Sequence, residues 1–160
     1  MTDATHSRFT LRQAIAADGE DMIALLPQLA AFVLPPKREP EHLWHGDREM
    51  VHDWLAGNRP QCFAIAAVAD DGYLGGYAFV SMREELLSHA PSAHLEVLVV
   101  AGHVRRAGLG ARLCAAVEVE AKNRGAESMT LHVFGNNERA RALYAKIGYD
   151  EELIRAIKHL

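Results

Sequence analysis

The stretch His94-Leu95-Glu96-Val97-Leu98-Val99-Val100-Ala101-Gly102-His103-Val104-Arg105-Arg106-Ala107-Gly108-Leu109-Gly110-Ala111 changes its hydrophobic period partway along, and that change decides the architecture. Residues His94 to Val100 are rich in branched apolar side chains and read as a buried central strand. Beyond the glycines, Leu109, Leu113, Ala116, Val117 and Ala121 fall on one helical face, and Gly125 supplies a C-terminal cap. A buried strand thus runs through a glycine-rich turn into an amphipathic helix. The first amides of a helix lack internal partners and, with the helix dipole, make a seat for a phosphate or pyrophosphate. Gly108 and Gly110 put no side chain between backbone and anion, and Arg105 and Arg106 add positive charge. The plainer alternative is a tight strand–helix turn with solvated arginines. Two nucleotide patterns fail here: the Rossmann turn needs glycine where Leu113 stands, and the P-loop needs Lys-Ser/Thr where Ala111-Arg112 follow Gly110.

Working outward, Cys62 to Ala69 and Tyr73 to Met82 read as strands joined by a hairpin at Asp70-Asp71-Gly72, with another turn at Ser88 to Ser92. Phe9 to Ala14 alternates as a first strand. Asp18 can cap a helix carrying Met22, Ile23, Leu26 and Ala30, with Pro27 kinking or splitting it. Leu34 to Pro40 holds three prolines and is a long loop, and a second helix covers Arg48 to Ala56. On the C-terminal side, Ser128 to Phe134 is a strand. Asn137 caps a short helix with inner residues Ala140, Leu143, Tyr144 and Ile147, and Tyr149 to Leu160 is expected as a last, edge strand. The order β-α-α-β-β-β-α-β-α-β describes a mixed α/β sheet of α+β-like character with helices on both faces.

Size and charge narrow the classes. A chain of 160 residues fits one domain, residues 1–160, and buries roughly 69% of its unfolded surface without disulfide or metal staples. Seventeen Lys and Arg against 21 Asp and Glu give a net charge of −4, which disfavours a general nucleic-acid binder. No apolar run reaches the roughly 18 residues of a membrane span, and Met1 to Arg8 has no signal-peptide character. Two cysteines, Cys62 and Cys114, are too few for a secreted disulfide scaffold, so a reducing cytoplasm is expected.

The glycine turn fits Arg-x-x-Gly-x-Gly from Arg105 to Gly110, and downstream Asn137-Glu138-Arg139-Ala140-Arg141-Ala142-Leu143-Tyr144-Ala145-Lys146-Ile147-Gly148-Tyr149 fits Asn-x-x-Ala-x-x-Leu-Tyr-x-x-x-Gly-Phe/Tyr. This pair, covering Leu95 to Tyr149, resembles the GNAT superfamily of acyl-CoA-dependent N-acyltransferases. Gly102 departs from it, since the family often has proline there. The resemblance implies a GNAT-type twisted mixed sheet of six to seven strands flanked by about four helices. It also implies acetyl-CoA as cosubstrate, with its pyrophosphate on the amides of Arg106, Ala107, Gly108, Leu109, Gly110 and Ala111 beside Arg105. A splay is implied between the strand ending at Val100 and the strand Ser128 to Phe134. The pantetheine arm would lie there against the backbone of Leu98, Val99 and Val100, where an amide could polarise the thioester carbonyl.

The resemblance also casts Tyr144 as proton donor to the departing thiolate; a core tyrosine is the alternative. Asn137 is a helix cap that could also touch the cofactor. Glu96 is the only carboxylate in the central strand and is expected to share a face with Leu98 and Val100, so it is either the base that deprotonates the amine or an ion-paired glutamate. Glu84 and Glu85 read as solvated loop. His42, His45 and His52 with Glu41 and Asp47 show no fixed zinc spacing, and no metal is expected. The leading function is acetyl transfer from acetyl-CoA to a primary amine by direct attack in a ternary complex. A non-catalytic acyl-CoA-binding module and a phosphate-binding α/β protein are the alternatives. The expected partners are acetyl-CoA and an amine acceptor, small molecule or protein, with no nucleic acid and no membrane, and a homodimer left open. The acceptor is shaped by residues 19 to 57 and 83 to 93, whose mild acidic bias suits a cation.

Overall fold

Four strands zigzag before the chain crosses over. In this computed structural model, which describes residues 8–105 and 108–160, β1 (Phe9–Gln13), β2 (Cys62–Ala69), β3 (Leu74–Glu84) and β4 (Pro91–Val100) pair antiparallel in chain order. Helix α1 (Gly19–Leu25) runs into a tighter 3-10 turn over Leu26–Ala30, the split that Pro27 imposes. Helix α2 (His45–Leu55) starts three residues earlier than the sequence suggests. Helix α3 (Leu109–Asn123) carries the chain across to β5 (Ser128–Leu131), which lies parallel to β4; a parallel pair needs such a crossover. Helix α4 (Glu138–Lys146) follows, capped by the Asn137 side chain on the Ala140 amide at 3.3 Å.

The sheet separates two cores. Phe63, Ile65, Ala78, Val80 and Leu95 meet Leu109, Leu113 and Val117 on the α3 side. Tyr77, Phe79, Val97 and Val99 meet Met22, Leu26 and Val51 on the side of α1 and α2. Along most of each strand the two sets alternate, as a pleated strand requires. Glycines allow close contacts: Gly76 leaves no room for a Cβ, which would lie 2.6 Å from the Val99 carbonyl oxygen.

One irregularity governs the site. Phe79 faces Val97 and Val80 faces Leu95, so Glu96 is the extra residue of a β-bulge in β4. The bulge reverses the inside–outside parity. Leu98 and Val100 pack on the α3 side, whereas Glu96 accepts a hydrogen bond from Ser81 on the opposite side, that of α1 and α2. The expectation that Glu96 shares a face with Leu98 and Val100 is therefore overturned, because simple alternation fails at a bulge.

Two further expectations change. Beyond Leu131 the ladder to β4 stops, so β5 is shorter than Ser128 to Phe134. The expected last strand, Tyr149 to Leu160, is absent: residues 149–160 have no regular structure, and 151–160 are exposed. Among the described residues the sheet has five strands, not six to seven. Leu153, Ile154, Ile157 and Leu160 are spaced by one and three, which is not the period-two pattern of a half-buried strand. Arg141 holds Glu151 against α4 by two hydrogen bonds of 2.6 and 2.8 Å.

Candidate active site

The site lies where β4 and β5 part. Their pairing ends at Leu95–Leu131, immediately before the bulge, and β4 continues to Val100 with β3 as its only partner strand. The splay expected between these strands is thus present, and the backbone of Leu98, Val99 and Val100 borders it. At its far end the loop after α1 meets the segment after β5. Phe32 and Phe134 stack at 5.8 Å between centroids, and Asn136 Nδ2 donates to the Val33 carbonyl. The proline-rich loop therefore begins beside the splay.

The glycine turn closes the other end. Gly108 has φ of 72°, the left-handed region that glycine tolerates, and stands as N-cap of α3 with no side chain capping the helix. Leu109 is buried, anchoring the first turn, and the leading amides of α3 have no side-chain acceptor at the cap. Arg106 and Ala107 lie outside the described residues. Arg105 is more than a rim charge: its Nε donates to the Val100 carbonyl at 3.2 Å, and Nη2 donates to the Gln28 carbonyl at 3.1 Å. It ties the end of β4 to the turn after α1. Gly110 faces inward, since a Cβ there would stand 3.3 Å from Leu143 Cδ2 and 3.9 Å from Leu98 Cδ2.

Tyr144 projects from α4 into the α3-side core, with its ring 5.8 Å from that of Tyr149. Its hydroxyl has no hydrogen-bond partner among the described residues. Burial, and then the nearby Cys114, push its pKa up, so the phenol keeps its proton at neutral pH. Neither cysteine suits nucleophilic chemistry. Both are free and buried; burial raises the Cys62 pKa and pushes that of Cys114 up to about 12.

On the other side of the sheet a polar cluster forms. Glu96 Oε1 accepts from Ser81 Oγ at 2.5 Å and lies 3.8 Å from Arg83 Nη2. His94 Nδ1 meets Thr130 Oγ1 at 2.7 Å, spanning β4 and β5, with the His132 ring 4.8 Å away. Burial, with help from Arg83 and His132, pulls the His94 pKa down to about 4. Asp47 joins from α2: burial and the Glu96 charge push its pKa up to about 7. Sequence reading grouped Asp47 with the histidines of the preceding loop because the helix was begun at Arg48. The available signal was its spacing, three residues after Trp44 and four before the fully buried Val51. Ser81 carried no such signal. Glu84, expected in a loop, instead ends β3 opposite Pro91 and is exposed, because β3 runs two residues past Met82; Glu85 opens the β3–β4 turn, where its carboxylate accepts from the Leu87 and Ser88 amides. His42 and His45 line a shallow surface hollow with Arg38, Glu41 and Gly46. Among the described residues no group of three or more His, Cys, Asp or Glu could hold a metal ion. Nor is any described helix long and apolar enough to cross a membrane.

Comparisons with known proteins agree with this geometry. Residues 26–149 match the acetyltransferase (GNAT) family. An uncharacterized N-acetyltransferase, YhfO of Bacillus subtilis, is 40% identical over 58 residues, which is 36% of this chain and 39% of that protein. The match thus spans about two-fifths of the relative's length. A putative acetyl transferase from Pyrococcus furiosus superposes with a TM-score of 0.77 at 18% identity, over 95% of this chain and 99% of the other. The structure of AAC(6′)-Iy in complex with the bisubstrate analog CoA-S-monomethyl-acetylneamine gives 0.69 at 24% identity, covering 96% and 100%. These two share the fold. A splayed β4–β5 pair, a glycine-led helix, a capped Asn137 helix and a family match over most of the sequence carry one conclusion: the chain belongs to the GNAT family of acetyltransferases.

Proposed function

We propose that the protein transfers an acetyl group from acetyl-CoA to a primary amine by direct attack in a ternary complex. The observation that carries the reading is the parting of β4 and β5 after Leu95, with the α3 N-terminus at one end, Tyr144 on one side of the sheet and Glu96 on the other. Acetyl-CoA would lay its pyrophosphate on the leading amides of α3 and its pantetheine arm along Leu98 to Val100. Val99 turns its backbone groups to Tyr77 of β3 and the Val100 carbonyl is already taken by Arg105, so Leu98 supplies the open backbone.

In the reaction the amine nitrogen forms a bond to the thioester carbonyl carbon, and the carbon–sulfur bond breaks. The amine gives up one proton, and the leaving thiolate takes one. Tyr144, kept protonated by burial, is suited to supply the second. Glu96 faces the acceptor side and helps remove the first, directly or through water. An aliphatic ammonium with a pKa near 10 offers little free amine at pH 7, which makes such help useful. Two buried, high-pKa thiols support direct attack over a covalent acetyl-enzyme. They also suit a protein working in a reducing cytoplasm. The test is coenzyme A thiol release from acetyl-CoA with a panel of primary amines, read with product mass. Release with N-acetylated product is expected. Acetyl-CoA binding without release from any amine would favour the non-catalytic binding module.

A further inference from the structure

The proposed mechanism gives no part to the loop after α1, yet that loop is fastened at both lips of the splay. Residues 26–34 leave the core on the side of α1 and α2, where Leu26 is fully buried. At one end Arg105 grips the segment. Its Nη2 donates to the Gln28 carbonyl at 3.1 Å and to Gln28 Oε1 at 3.3 Å, while Nε donates to the Val100 carbonyl at 3.2 Å. Gly102, which stands where the family often has proline, makes room for this grip: a Cβ there would lie 3.4 Å from Gln28 Oε1. At the other end Asn136 Nδ2 donates to the Val33 carbonyl, and the Phe32 ring stacks on Phe134 at 5.8 Å. The two clasps join residues 77 and 103 positions apart, so neither belongs to a local turn. One reaches the end of β4 and the other the stretch after β5, the two strands that part. Residues 26–34 therefore form a strap across the splay.

We propose, resting on the acetyltransferase reading, that Arg105 and Asn136 are positioning residues that fasten this strap as a wall of the amine's entry, and that Arg105 serves the acceptor through the strap and not the pyrophosphate by direct contact. The guanidinium geometry argues for this. A bidentate hold on a phosphate uses one edge of the fork. The Nε–Nη2 edge of Arg105 is spent on three neutral oxygens of the chain itself. Arg105 also closes the short 3-10 turn Gly102–Val104 with extended backbone, ahead of the leading amides of α3, which begin at Leu109. The strap is rooted on the side that the mechanism gives to the amine: Leu26 is buried there and Leu29 packs against the same core. Loosening either clasp frees the segment on that side. The first turn of α3 keeps its own anchor, the buried Leu109. Weaker amine binding with unchanged acetyl-CoA affinity is the consequence. Lysine at position 105 separates the two roles, because it keeps a charge for a phosphate but loses the fork that reaches Val100 and Gln28 together.

Three measurements on Arg105→Lys, Arg105→Ala and Asn136→Ala decide it. Hydrogen exchange needs no activity. The Ala31 amide, which donates to the Gln28 carbonyl at 3.2 Å, should open with its strap neighbours in all three variants. Exchange there is expected to rise at least about tenfold, with β2 and β3 unchanged. Wild-type exchange in the variants overturns the strap. Calorimetry with acetyl-CoA should give a Kd within about twofold of wild type throughout. Affinity lost in Arg105→Ala and restored in Arg105→Lys makes Arg105 a phosphate ligand and overturns the inference. Initial rates are then read with primary amines from 1,4-diaminobutane to 2-phenylethylamine. For each amine that releases thiol, KM should rise about tenfold in all three variants, with kcat within about threefold. An unchanged amine KM overturns the acceptor role. Gln28→Ala loosens the Arg105 clasp without touching the arginine, so it keeps the test open where an Arg105 variant does not fold; it should move KM the same way, and an unmoved KM there overturns the clasp. Faster strap exchange in the variants with no thiol release from any amine in wild type counts against the transferase reading alone.

Discussion

Compare the two faces of the sheet. The α3 face is dry where it is covered: Leu109, Leu113 and Val117 close over Phe63, Ile65 and Val80, and Tyr144 enters this layer from α4. The face under α1 and α2 has an equally apolar centre but carries the polar side chains. Ser81, Ser92 and His94, the buried polar residues among those described, point this way, and so do Glu96 and Asp47. Burying a polar group is costly unless it is partnered, so their collection on one face needs a reason. The bulge at Glu96 supplies the geometry. It lets Leu98 and Val100 finish the α3 core while Glu96 turns to the other side. In the proposed mechanism this difference divides the chemistry by the sheet: cofactor and leaving group on the α3 side, acceptor and proton removal on the α2 side.

Substitutions on the two faces should therefore disturb different kinetic quantities. The largest expected effect is on the α3 side. Tyr144→Phe should lower kcat by about 10² to 10⁴, with acetyl-CoA affinity little changed, since only a transition-state interaction is lost. Wild-type kcat under conditions where chemistry limits the rate would reduce Tyr144 to packing. Next comes the α2 side. Glu96→Gln should lower kcat/KM by about 10² at neutral pH, with part of the loss recovered at high pH, where free amine is abundant. A pH–rate profile overlaying that of wild type would remove Glu96 from the chemistry and break the division.

The third effect concerns stability. His94 is buried neutral, with its pKa at about 4 against about 6.5 when unfolded. The unfolded chain binds the proton more readily, so stability is whole above pH 6.5 and is lost as pH falls toward 4. Linkage makes the loss about 2 kcal/mol by pH 5. Denaturant melts across that range should show it, and His94→Gln should flatten the dependence. The smallest effect is at the turn. Gly110→Val should weaken acetyl-CoA binding about tenfold, or roughly 1.4 kcal/mol, measured by calorimetry. Because a Cβ there meets Leu143 and Leu98, Gly110→Ala serves as the control for packing alone. Full affinity in a folded Gly110→Val protein would remove the pyrophosphate from this turn.

Much of this was legible in the chain. The change of period at Val100 to Leu109 identified strand, turn and helix, because each element buries one face and must repeat its apolar residues at its own period. Asn137 and Gly148 bounded α4, because capping is local chemistry; Gly148 takes φ of 102°. Tertiary contacts decided the rest. A bulge is set by the neighbouring strand, so alternation misplaced Glu96. The length of β5 and the absence of a last strand depend on partners distant in sequence. The charge of Glu96 raises the affinity of Asp47 for a proton across 49 residues of sequence, through the packing of α2 on the sheet. Local sequence determined which residues could do the chemistry; the packing of distant segments determined which of them meet.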